Sequence, residues 1–223
     1  MKYILLVCFC FFAGIGLAQK MQCACGTDSN LNEIIDCKST IFKNGARLYW
    51  QFNCDSSWLT FKAVNGRKRI LFSLDSSLME LTGRLGYIYA AEYKYVFLIR
   101  QNLISGCCDP PEFILFNKNT GRQKSLLGRL VFYSHDSKYP IVISLGPNSN
   151  SLIIFNVDTH KKYSIALPRG RLSKSIKLSF FSAPELLFDN DLIKGDSLVL
   201  KYQYKTTAKK DWLYSKILID LKK

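Results

Sequence analysis

Cysteines are the side chains of this 223-residue chain with the clearest covalent chemistry. Two of the eight lie in the apolar first residues, and the other six are Cys23, Cys25, Cys37, Cys54, Cys107 and Cys108. In an exported chain, an even number of cysteines predicts disulfide bonds. The spacing lacks both the C-x2–4-C pattern of structural zinc sites and the C-x-x-C pattern of redox sites. The sequence therefore predicts structural disulfides and no metal ligands.

The positions of the cysteines favour particular pairs. Cys54 and Cys108 each precede an aspartate in two similar loops, CDSSWLTF and CDPPEFILF. Loops that are equivalent in neighbouring hairpins share one end of a sheet, which predicts a bridge from Cys54 to Cys107 or Cys108. Cys37 is then expected to pair with Cys23 or Cys25. One cysteine near the N-terminus and one of the adjacent pair remain, and they are expected to join each other.

Carboxylates in the same two loops are candidates for ligand contact or catalysis. The candidate ligand-face residues are Asp55, Trp58, Asp109 and Glu112. Two carboxylates facing each other across a cleft would support glycoside hydrolysis. The simpler interpretation is that Asp55 and Asp109 cap the backbone of their own turns. Since G-x-S-x-G and H-E-x-x-H motifs are also missing from the sequence, no catalytic or cofactor-binding residue is predicted.

Positive charge is the strongest compositional feature. Lys and Arg number 31 against 17 Asp and Glu, a formal net charge of +14. Basic residues follow each predicted turn, and they form a candidate anion-binding rim at Arg67, Lys68, Arg69, Arg122, Lys124, Lys161 and Lys162. Such a rim favours an anionic surface, a glycan or an acidic protein as partner. The alternative is that the lysines serve solubility and discourage edge pairing. Nucleic acid is not expected, because no recognised binding motif occurs.

A repeated strand–turn–strand unit must position these residues. The four copies are residues 57–74, 112–128, 151–167 and 214–223, aligned on Phe61, Phe116, Phe155 and Ile219. Gly66 and Gly121 fall in the first two turns, where glycine supplies a positive φ at little cost. His160 takes the place of glycine in the third copy.

A further strand precedes each hairpin, at residues 47–53, 95–102, 141–145 and 197–205. The pattern resembles the degenerate repeats of β-propellers, whose blades recur about every 40 to 60 residues. The resemblance covers most of residues 45–223 and implies an all-β fold. It predicts a small propeller-like array of about four repeats, each with three to four antiparallel strands. A β-sandwich or an open meander is the alternative.

The first residues indicate export. Residues 1–18 combine Lys2, a long apolar run and small residues near Ala18, the pattern of a secretory signal peptide. The apolar run, about 16 residues, is short for a membrane span of roughly 20. The domain prediction is a signal peptide over 1–18, a Cys-rich segment over 19–44 and one repeat domain over 45–223. No transmembrane segment is expected after the signal peptide, and the predicted location is secreted or periplasmic.

These observations together predict an exported, non-catalytic binding or interaction protein. The alternative is a hydrolase of an envelope or environmental polymer that uses loop carboxylates. A cleft in which carboxylates converge would favour the hydrolase, whereas disulfide-pinned loops without such a cleft would favour binding.

Overall fold

The structure is a computed structural model that describes residues 23–82, 84–102, 109–136, 138–207 and 211–222. The predicted signal peptide lies outside these ranges, as do Cys107 and Cys108. In the described part of the chain, no helix is long and apolar enough to cross a bilayer. The helical segments are α1 (Ser29–Ile34), α2 (Arg171–Lys177) and three 3-10 turns at Met79–Leu81, Pro147–Ser149 and Pro184–Leu187.

Strands dominate the described residues. Those of the N-terminal half are β1 (Thr40–Ile41), β2 (Arg47–Phe52), β3 (Ser56–Lys62), β4 (Lys68–Asp75), β5 (Gly86–Glu92), β6 (Val96–Asn102), β7 (Glu112–Asn117) and β8 (Gln123–Arg129). Those of the C-terminal half are β9 (Phe132–Tyr133), β10 (Ile141–Leu145), β11 (Ser151–Asn156), β12 (Lys162–Ala166), β13 (Phe188–Lys194), β14 (Ser197–Tyr204) and β15 (Leu213–Asp220).

Consecutive strands pair to form four antiparallel sheets in chain order. Sheet 1 contains β1–β4, sheet 2 contains β5–β8, sheet 3 contains β9–β12 and sheet 4 contains β13–β15. The all-β prediction is confirmed. The four sheets form a repeat-like series that is compatible with a small propeller-like array or a β-sandwich.

Three copies of the predicted hairpin are present, as β3–β4, β7–β8 and β11–β12, whereas the fourth copy contains only β15 among the described residues. In each sheet, the residue on which the copies align pairs with the second residue of the preceding strand. The pairs are Phe61 with Leu48, Phe116 with Phe97, Phe155 with Val142 and Ile219 with Leu198. Because a shift by one residue would turn every side chain to the other face, this shared register shows that the copies are structurally equivalent.

Hydrophobic clusters join the sheets in sequence. Sheet 2 is apolar on both faces, since Phe97 and Ile99 pack towards sheet 1 while the intervening Leu98 packs towards sheet 3. A third cluster joins sheets 3 and 4 and includes Ile143 and Leu198. The nearly continuous apolar sequence of β6 follows from this position between two neighbours.

The first interface differs from the later ones. Phe61 of sheet 1 and Phe116 of sheet 2 hold equivalent positions, yet both belong to the cluster between these two sheets. Equivalent faces therefore meet there, as in a sandwich. In contrast, Phe155 packs against the opposite face of sheet 2, and Ile219 packs against the face of sheet 3 opposite Phe155.

Two disulfides pin the N-terminal segment to sheet 1. They join Cys23 to Cys54 and Cys25 to Cys37. The second pair agrees with the prediction for Cys37. The predicted bridge from Cys54 to Cys107 or Cys108 is wrong, and so is the predicted bridge between an N-terminal cysteine and that pair, because both N-terminal cysteines are already bonded.

Apolar packing of the N-terminal segment explains this pairing. Ile35, which directly follows α1, is 1% exposed and forms a cluster with Phe52 and Met79, against which Cys23 also packs. Phe52 ends β2, just before the turn that holds Cys54. The segment therefore folds back onto this end of sheet 1 and brings Cys23 to Cys54.

Candidate anion-binding rim

Three hairpin turns share a left-handed residue at their tips. These residues are Gly66 (φ +83°), Gly121 (φ +63°) and His160 (φ +60°). Only glycine adopts this conformation without a steric penalty, so the two glycines predicted in turns are required by the backbone. His160 keeps the same geometry, and its ring stacks on that of Phe155 with centroids 6.0 Å apart. The three turns are thus built alike.

An asparagine side chain stabilises each of the second and third turns. The Oδ1 atom of Asn117 accepts hydrogen bonds from the backbone N–H groups of Asn119 (2.9 Å) and Thr120 (3.0 Å). Asn156 accepts the same two bonds in the third turn, from the groups two and three residues ahead. These Asx turns fix the backbone of each turn and therefore the positions of the basic residues that follow it.

Contacts across the sheets place all three turns along one border of the molecule. The first and second turns together line a cavity of about 310 Å³. The Nζ atom of Lys124, in β8, lies 3.2 Å from Nε2 of His160 in the third turn. The predicted rim is therefore one continuous surface, which is called the basic rim below and consists of Arg67, Lys68, Arg69, Arg122, Lys124, Lys161 and Lys162, all exposed.

Four of the seven basic-rim residues come together in the cavity. Its lining is Ala63, Asn65, Arg67, Lys68, Arg69, Asn119, Thr120 and Arg122. The lining holds four cationic side chains and none that is acidic. Guanidinium groups bind carboxylate, sulfate or phosphate through paired N–H donors, and the amide and hydroxyl groups add further donors. The cavity is suited to an anionic group.

A second cavity, of about 640 Å³, adjoins the first through the shared lining residue Asn119. Its wall includes the side chain of Tyr95, which is 52% exposed. The Nζ atom of Lys94 lies 4.9 Å from the centre of that ring. Hydrogen bonding to Tyr95 raises the pKa of Lys94 above its ordinary value.

A buried ion pair supports the turn between the two cavities. The Nζ atom of Lys118 lies 2.7 Å from Oε1 of Glu92 and donates a hydrogen bond to the carbonyl oxygen of Tyr93 (2.8 Å). The side chains of Lys118 and Glu92 are only 6% and 13% exposed. Lys118 therefore holds the second turn on sheet 2 and is satisfied within the protein, unlike the exposed cations of the rim.

Hydrogen bonds between turns also tie successive sheets together at this border. The backbone N–H of Lys43, in sheet 1, donates to Oε1 of Glu92 in sheet 2 (2.9 Å). The backbone N–H of Lys94 donates to Oδ1 of Asp158, in the third turn (3.1 Å). Because both acids are engaged by main-chain donors, they contribute to the architecture of the border.

The candidate carboxylates lie at the other ends of the strands. Asp55 is exposed in the turn that precedes β3, and Asp109 is exposed before β7, with its Oδ1 4.0 Å from Nη2 of Arg129. Glu112 begins β7. Trp58 is half-buried in β3, on the face opposite Phe61. The candidate loop residues and the basic rim therefore lie at opposite ends of the strands.

Sequence reasoning missed Asn65, Asn119 and Thr120, which complete the wall of the first cavity. The signal was present, because Asn and Thr beside a turn glycine are typical turn residues. Within the described ranges, no three His, Cys, Asp or Glu side chains converge to hold a metal ion. Comparison with protein-family models, with curated proteins and with solved structures finds no match to this chain.

Proposed function

We propose that this protein is an exported, non-catalytic binding protein whose basic rim holds a polyanionic polysaccharide. The observation that carries the proposal is the cavity in which Arg67, Arg69 and Arg122 meet without an acidic neighbour in the lining. A surface made only for solubility would intersperse the two signs of charge. Concentration of one sign in a concave site favours an anionic ligand.

The shape of the basic rim supports an extended ligand. The cations continue from the first cavity through Lys124 to Lys161 and Lys162 at the third turn. A single small anion would occupy the cavity alone, whereas a chain with regularly spaced sulfate or carboxylate groups would reach all three turns. The exposed ring of Tyr95 beside the cavity offers a stacking surface for a sugar.

The proposal also includes that the protein is exported and that its sheets are propeller-like repeats. The apolar N-terminal sequence and the disulfides of the N-terminal segment support an oxidising compartment outside the cytoplasm. The register that the aligned residues share in all four sheets supports a degenerate propeller-like repeat, although the first two sheets meet through equivalent faces.

The test is calorimetric titration with size-defined heparin oligosaccharides at several salt concentrations. The double substitution Arg67→Gln/Arg122→Gln removes two cations from the cavity and should weaken binding about tenfold or more. The matched control is Lys174→Gln/Lys177→Gln, which removes the same charge from the exposed surface of α2. The control should change the affinity by less than about twofold, since a distant charge is screened by salt.

Equal losses in the two double variants would contradict the proposal, because they would indicate a nonspecific field of positive charge. Heparin binding that disappears entirely at modest salt, in the wild type and in both variants alike, would also indicate a nonspecific field of positive charge. The hydrolase alternative stays a prediction. If the protein is a hydrolase, it should release reducing ends from a polymer, and Asp109→Asn should abolish that release.

A further inference from the structure

A protruding aromatic side chain marks a second surface, far from the basic rim in sequence. Phe180 follows α2 and is 108% exposed, so its ring makes no burying contact with the rest of the protein. Burial of a phenylalanine side chain is strongly favourable in water, and full exposure is therefore unusual. The backbone around it is held in place, since Leu178 N–H donates to the carbonyl oxygen of Lys174 (3.1 Å).

The ring contributes to the lining of an apolar cavity of about 540 Å³. The cavity is lined by Leu178, Ser179, Phe180, Phe181, Ser182, Leu186, Lys205 and Trp212. Phe181 and Trp212 form its wall through an edge-to-face contact with ring centroids 5.6 Å apart. The cavity and the protruding ring form one apolar surface, which is called the Phe180 surface below.

Cations border the Phe180 surface. Lys174 and Lys177 are exposed on α2, and the Nζ atom of Lys205 lies 5.0 Å from the centre of the Trp212 ring. The acidic residues next to lining residues are Asp211, which is exposed beside Trp212, and Glu185, which is half-buried beside Leu186. The balance is positive, and each lysine near an anionic bilayer adds attraction.

We propose that the Phe180 surface docks on an anionic lipid bilayer, with Phe180 inserted among the acyl chains and the lysines facing the headgroups. A fully exposed apolar side chain with lysines on neighbouring segments suits a soft apolar medium with an anionic boundary. The occupant is a lipid surface because the fully exposed Phe180 ring continues the apolar lining of the cavity to the outside of the protein, and because the lysines on neighbouring segments complement anionic headgroups.

The test is co-sedimentation of the full chain with vesicles of phosphatidylcholine alone or mixed equally with phosphatidylglycerol. Wild-type protein should bind the mixed vesicles, and Phe180→Ser should lower the partition coefficient about tenfold or more. Lys174→Gln/Lys177→Gln should lower it as well. Leu218→Ser is the matched control, since Leu218 is 70% exposed on sheet 4 and should not affect partitioning.

A second measurement reports insertion independently of affinity. The blue shift of tryptophan emission on addition of the mixed vesicles should be larger for Phe180→Trp than for wild type, whereas Leu218→Trp should add no blue shift to that of the native tryptophans. Unchanged partitioning of Phe180→Ser would overturn the proposal. Loss of vesicle binding in Arg67→Gln/Arg122→Gln, and not in Phe180→Ser, would also overturn the proposal, because it would assign vesicle binding to the basic rim. A dimer in vesicle-free solution that Phe180→Ser dissociates would also overturn it, by assigning the surface to self-association.

Discussion

The ring of Phe61, in sheet 1, packs directly against the Cα of Gly121, at the tip of the second turn. A Cβ added to this glycine would overlap the Phe61 ring, and Gly121 also has a φ of +63°. Phe61 itself is fully buried and stacks on Phe97 of sheet 2. The contact therefore joins the core between the two sheets to the turn whose residues Thr120 and Arg122 line the first cavity, so packing in the interior helps to set the spacing of the basic rim.

Gly121→Ala should destabilise the protein by about 2–4 kcal/mol. The left-handed backbone costs about 1–2 kcal/mol for an alanine, and the overlap with Phe61 adds overpacking of similar size. Gly66→Ala is the matched control, because Gly66 has a φ of +83° but open space around its Cα. It should cost only the backbone penalty of about 1–2 kcal/mol. Urea denaturation of the two variants compares them, and equal losses would show that the contact with Phe61 has no energetic importance.

Glu92→Gln should lower the free energy of unfolding by about 2–3 kcal/mol. The substitution keeps an acceptor for the N–H of Lys43 but leaves the charge of Lys118 buried without its counter-charge. Lys138→Gln removes an exposed partner of Asp196 and should cost less than about 1 kcal/mol. Chemical denaturation at neutral pH measures both. A Glu92→Gln protein as stable as wild type would show that the buried pair is energetically neutral.

The ion cluster at Asp196 should make stability depend on pH. Hydrogen bonding from Lys222 and then from Tyr139 lowers the pKa of Asp196 from 3.8 to about 2. A carboxyl whose pKa is lower in the folded state stabilises the protein above the unfolded-state value, and this contribution is lost as the pH falls through the folded-state value. The difference in melting temperature between wild type and Asp196→Asn should therefore be constant above about pH 4 and shrink between about pH 4 and pH 2. A difference that grows over this interval would contradict the assigned contacts.

The two disulfides should contribute unequally to stability. Cys23–Cys54 closes a separation of 31 residues and Cys25–Cys37 one of 12. Loop-closure entropy assigns about 4 kcal/mol to the first bridge and about 3 kcal/mol to the second. Replacing both cysteines of one bridge with serine and measuring chemical denaturation tests this order. Mass mapping of non-reduced peptides checks the pairing itself, and a peptide containing Cys54 linked to Cys107 would contradict the structure.

The sequence alone determined the strands, the turns and their repetition. Alternating apolar residues and turn residues are local signals, so the hairpins around Phe61, Phe116 and Phe155 could be predicted. The basic residues after each turn were visible for the same reason, because a hairpin fixes the positions of the residues that come directly after its tip. Local sequence also limited Cys37 to two partners, Cys23 and Cys25.

Only the tertiary structure decided how the sheets pack and which distant residues meet. Sheets 1 and 2 join through equivalent faces, and the packing of Ile35 on sheet 1 places Cys23 beside Cys54. Burial of apolar surface is favourable whichever part of the chain supplies it, so the order of residues in the sequence does not reveal these contacts. The same packing brings Arg67 and Arg122 into one cavity and leaves Phe180 outside any core. A local pattern specifies which face of a strand is apolar, but it does not specify the surface that covers that face.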